Sequence, residues 1–97
     1  MSLPKELRIL GLTYRIEEVE CVNKISAEKG EINFLTHEIK IDKSMPQDLK
    51  EQTLLHEVIH AVFDSLGMYE LNDDERTVQS LATALYSTFK ENSTSFS

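Results

Sequence analysis

The chain has 97 residues, 40% of them hydrophobic and 28% charged, and a formal net charge of -7. That length accommodates one domain around a single modest core, and we read residues 1–97 as that domain. The acidic balance, with no cluster of Lys or Arg, excludes a nucleic-acid backbone as partner, because phosphate binding calls for a basic patch.

The single cysteine, Cys21, cannot form an internal disulfide and has no Cys or His at metal-ligand spacing. A reducing compartment suits it. No apolar run reaches the length of a membrane span, and the N-terminus lacks the basic-then-apolar pattern of a signal peptide. The expectation is a cytoplasmic protein without a membrane partner.

Leu7 and Ile9, then Leu12, Tyr14 and Ile16, alternate with polar residues. This period of two predicts a short strand, a tight turn or bulge at Gly11, and a longer strand over Leu12 to Val19. Asn23 to Gly30 is polar and reads as a loop. Ile32 and Phe34, then Ile39 and Ile41, alternate about Leu35 to Glu38, which predicts a hairpin. The expected fold is α+β, with a small antiparallel sheet of three to four strands over about 6–42. Two packed helices follow and cover one face.

Pro46 suits a first helical position, and Gly67 suits a helix C-terminus, so the spacing predicts a helix over about 46–66. Its second half holds His56-Glu57-Val58-Ile59-His60. Histidines four apart lie on one helical face, about 6 Å along the axis. They can share one metal ion, with Glu57 placed to act on water bound to it. A chain this short contains H-E-x-x-H by chance in roughly 3 cases per thousand. Leu54, Leu55, Val58, Ile59, Ala61, Val62 and Phe63 surround the motif. A helix apolar on all sides is a buried one, and buried polar groups need a partner. A metal is such a partner.

Met68 to Asn72 reads as a connection, with Asn72 as N-cap of a last helix over about 73–90. Val78, Leu81, Ala82, Leu85 and Phe89 form its apolar stripe, and Asn92 to Ser97 forms a polar tail. A catalytic zinc generally has three protein ligands and a water. Glu75, on the edge of the stripe, is the leading third ligand. Asn72-x-x-Glu75 is equally a capping-box pair, so spacing alone leaves Glu75 either role. Asp64 follows His60 by four residues but lies about 12 Å along the helix from His56, too far to converge on one ion. Asp73 and Asp74 point away from the stripe. His37, at a hairpin tip, reads as a solvated residue.

Two stretches together are similar to the ImmA/IrrE type of minimal zinc metallopeptidase, in the short versions coded by phages and prophages. One is Gln52-Thr53-Leu54-Leu55-His56-Glu57-Val58-Ile59-His60-Ala61. The other is Glu75-x-x-Val78-Gln79-x-Leu81-Ala82-Thr83-x-Leu85. Val78 and Gln79 stand where that family carries alanine and asparagine, and the chain is shorter than members with additional domains. The resemblance implies a zincin-like fold, with zinc on His56, His60 and Glu75 and Glu57 as general base. It also implies a protein or peptide substrate, a regulatory protein among the candidates, lying as an extra strand beside the sheet edge. Tyr69 and Tyr86 are candidates to assist at the oxyanion. Two rival readings are a regulatory or binding protein that keeps zinc for folding, and a metal-independent interaction module.

Overall fold

The computed structural model describes residues 3–20, 22 and 28–92. Cys21, most of the loop expected before Gly30, and the tail beyond Asn92 lie outside the described residues. Within them the chain is α+β. Strands β1 (Glu6–Ile9), β2 (Leu12–Val19), β3 (Gly30–Asn33) and β4 (Glu38–Asp42) precede helices α1 (Gln47–Ser65), α2 (Tyr69–Asp73) and α3 (Glu75–Glu91).

The sheet has the order β1-β2-β4-β3. It is mixed, which corrects the antiparallel expectation. β1–β2 and β3–β4 pair antiparallel, but β2 and β4 run parallel, with Ile16 opposite Ile39 and Glu18 opposite Ile41. Strand β3 thus lies two places from β2, and β4, which follows β3 in the chain, fills the place between them. Two strand spacings, about 10 Å, separate β2 from β3. Insertion puts Ile39 and Ile41 at the centre of the sheet, where both are fully buried.

Local signals set the strand ends. Leu10 and Gly11 both have positive φ, as the two-residue turn between Ile9 and Leu12 requires. After β3, the Asn33 side chain accepts from the backbone N–H of Leu35 and Thr36 at 2.9 and 3.1 Å, an Asx turn. Phe34 therefore falls in the turn rather than in the strand. His37 is not simply solvated; its ring stacks on Tyr14 with centroids 4.7 Å apart.

One sheet face is covered. Ile9, Tyr14, Ile16, Ile39 and Ile41 form the main core with Leu54 and Ala61 of α1. The other side of α1 meets α3, where Ile59 and Phe63 pack against Val78 and Ala82. Helix α1 is thus enclosed between sheet and helix, which accounts for its apolar residues on every side. Leu81, Leu85 and Phe89 remain 39%, 37% and 47% exposed, so only part of the expected stripe packs on α1.

The helix ends differ from expectation in detail. Pro46 stands one place before the helix and its carbonyl accepts from Lys50 N–H. At the other end Gly67 has φ +72. Its N–H bonds to the Asp64 carbonyl, and the Met68 N–H bonds to that of Phe63, a Schellman closure. The segment expected as a bare connection contains α2, so among the described residues there are three helices and not two. Asn72 lies inside α2 and caps nothing. The N-cap of α3 is Asp74, whose carboxylate accepts from Thr77 N–H at 3.2 Å and Thr77 Oγ1 at 2.9 Å.

Gly30, at the start of edge strand β3, has no room for a side chain. A Cβ there would lie 2.8 Å from Thr53 Cγ2 and 3.2 Å from Glu57 Oε2. Gly30→Ala is expected to destabilise the protein by roughly 1–3 kcal/mol in urea unfolding, the usual cost of overpacking. In a Thr53→Ser background, which lacks Cγ2, most of that cost should disappear. An equal cost in both backgrounds would show that the contact is not the cause.

Candidate metal centre

His56 and His60 lie one turn apart on α1, with ring centroids 5.0 Å apart and planes at 66°. Glu75 is the first residue of α3, where the helix dipole favours a carboxylate. Because Asp74 supplies the cap, the Glu75 side chain is not used on its own helix. It reaches across instead. Glu75 Oε2 is 3.2 Å from His56 Nε2, and Glu75 Oε1 is 3.0 Å from His60 Nε2. Packing of Val78 and Ala82 on α1 fixes this approach, since Glu75 lies one turn before Val78.

The ligand atoms of His56, His60 and Glu75 all lie within 4.8 Å of one another, close enough to hold one metal ion. Around an ion with bonds of about 2.0–2.1 Å, tetrahedral ligand atoms are roughly 3.3 Å apart, near the separations between Glu75 and the two histidines. Two imidazoles and a carboxylate suit first-row divalent ions. The set is open on one side, because Glu75 is 68% exposed while the two histidines are 17% and 11% exposed. Among the described residues, Asp64, Asp73, Asp74 and His37 belong to no such group.

Both Nδ1 atoms have partners as well. His56 Nδ1 lies 2.9 Å from Gln79 Oε1, and His60 Nδ1 lies 2.6 Å from Asn72 Oδ1. Gln79 Nε2 and Gln52 Nε2 each donate to Thr83 Oγ1, at 3.1 and 3.0 Å. The sequence reading missed this outer layer. Gln79 follows Glu75 by four residues and so shares its face, a signal that was available. Asn72 had no such signal, because the helix that carries it was not foreseen.

Glu57 is 6% exposed. It borders a groove of about 620 Å³ that also touches Gly30, Thr53, both histidines and Glu75. Burial raises its carboxyl from the ordinary 4.5 to about 7; the neighbouring His60 opposes this, and Glu75, Glu28 and Glu31 add to it. A carboxyl titrating there exchanges a proton readily at neutral pH. The tyrosine candidates fare differently. Neither Tyr69 nor Tyr86 borders the groove. Tyr69 is 62% exposed, and Tyr86 donates to Glu51 Oε1 at 2.9 Å.

The chain matches no family model, no curated protein and no solved structure. Among the described residues no helix is long and apolar enough to cross a membrane.

Two predictions follow from the geometry. Asp74→Ala should cost about 1 kcal/mol of stability, as a lost cap does, and leave metal affinity unchanged. Glu75→Ala should do the reverse, and chelator competition with both variants checks the pair. The second concerns pH. The native state of metal-stripped protein favours protonated Glu57, so its contribution to stability is full below pH 4.5 and is lost as pH rises through about 7, by roughly 3 kcal/mol in all. Glu57→Gln should remove this part of the pH dependence in urea titrations. An unchanged pH profile would place the proton elsewhere.

Proposed function

We propose that the protein is a zinc-dependent endopeptidase of the ImmA/IrrE-like kind. The observation that carries this reading is the position of Glu57. A nearly buried carboxyl held near neutrality borders an open groove beside two imidazoles and a carboxylate that can share an ion. A metal kept only for folding has no use for such a base.

In this reading His56, His60 and Glu75 hold zinc, the ion most often found on such a set in hydrolases. When bound, zinc supplies Lewis acidity and makes a coordinated water acidic enough to ionise near neutral pH. Glu57 takes the proton of the attacking water and delivers it to the departing amine. The substrate is an extended peptide segment. Strand β3 is at the sheet edge, and Gly30 at its start borders the groove. The edge N–H and C=O groups of β3 offer pairing to a peptide laid alongside. Without a side chain at Gly30, the edge strand lies close against Thr53 and Glu57 at the groove.

Protein purified without a histidine tag should carry about one zinc per chain. The zinc-loaded protein should cleave members of a broad peptide library. Glu57→Gln should retain zinc and fold but lose at least ~100-fold in cleavage, the lower range for a lost general base. No ion bound by the wild type, or full cleavage by Glu57→Gln, would overturn the proposal. Zinc retained with no peptide cleaved would favour a zinc site kept for folding in a regulatory or binding protein.

A further inference from the structure

We infer that Asn72 and Gln79 are positioning residues of the metal centre, which fix both histidines in the Nδ1–H form so that both Nε2 lone pairs face one ion. This rests on the reading of His56, His60 and Glu75 as ligands, and extends it to two residues that touch no ion.

The argument begins with the amide orientations. Gln79 Nε2 donates to Thr83 Oγ1, which turns Gln79 Oε1 toward His56 Nδ1 at 2.9 Å. A carboxamide oxygen only accepts, so the ring nitrogen facing it carries the hydrogen. The same holds for His60 Nδ1, 2.6 Å from Asn72 Oδ1. In a neutral imidazole the other nitrogen then bears a lone pair. Those two nitrogens are the ones directed at Glu75, at 3.2 and 3.0 Å. At that range a proton or a metal ion must lie between each Nε2 and the carboxylate; a proton there makes the ring an imidazolium, which still carries Nδ1–H. The outer hydrogen bonds therefore favour the form of the rings that binds metal.

The origin of these residues supports the assignment. Helix α3 delivers a ligand, Glu75, and one turn later Gln79, which orients the ring of another. Thr83, one turn further, holds the Gln79 amide and also accepts from Gln52, which ties the layer back to α1. Helix α2 has five residues and none is buried. It contributes nothing to the core, yet it carries Asn72 to His60. Placing that carboxamide is the role the structure gives this helix. Both orienting groups are neutral, so they add no charge to a site that already holds Glu57 and Glu75.

The first test uses Glu75→Ala, in which no Glu75 carboxylate faces either Nε2. In this variant, metal-stripped and nitrogen-15-labelled, long-range proton–nitrogen correlations at alkaline pH should show the Nδ1–H form for His56 and His60. The Nε2–H form at either ring would overturn the inference. The second test pairs variants that remove the acceptor oxygen with variants that keep it. Asn72→Leu and Gln79→Met should each weaken zinc binding ~10–100-fold in chelator competition, whereas Asn72→Asp and Gln79→Glu should retain wild-type affinity or exceed it. Equal affinities across all four variants, or equal losses, would also overturn it. If the wild type binds no zinc, the metal reading fails, and the ring-nitrogen measurement still decides the hydrogen-bonding role on its own.

Discussion

The seating of α3 on α1 is the constraint on which the site depends. Val78 and Ala82 are fully buried and pack against Ile59 and Phe63. Side chains this small let two helices approach closely. The approach carries Glu75, one turn before Val78, to within 3.2 Å of the two histidine Nε2 atoms. The helix-helix contact and the ligand set are thus one structural feature. The apolar side of α3 does the packing, and the adjoining face, from Glu75 through Gln79 to Thr83, supplies polar groups at successive turns.

The other side of α1 is fixed by the sheet. Ile39 and Ile41 occupy its centre and are fully buried, and Leu54 and Ala61 pack over them. Because α1 is enclosed on two sides, Glu57 has little access to water, and burial is the main cause of its raised carboxyl. The same enclosure brings the start of β3 against α1, where Gly30, lacking a Cβ, lies close to Thr53 and Glu57 at the groove. Protonation of the base and the close approach of β3 thus have a common origin in how tightly the helix is held.

Much of this was legible in the chain. The alternation from Leu12 to Val19 marked β2 with its observed ends, because one face of the strand is buried and the other is wet. The pair His56 and His60 needed only helical spacing to be placed on one face. Other features were not legible, for identifiable reasons. Alternation with a period of two is the same in parallel and antiparallel strands, so the β2–β4 pairing was invisible. Helix α2 is five residues long with none buried, and so leaves no apolar period to detect. Asn72 and Asp74 are both good capping residues. The choice between them depends on which has extended backbone at the start of α3, and that residue is Asp74, with φ -90 and ψ 92.

By itself the sequence determined the α+β class, the helix that carries the motif, and the common face of its two histidines, since these follow from the local geometry of helix and strand. Tertiary structure decided the role of Glu75. As a residue three after Asn72 it had two equivalent uses. It became free for the histidines only when α2 took Asn72 to His60 and Asp74 took over the cap. Contacts between segments far apart in the chain make that choice, and local spacing does not encode them.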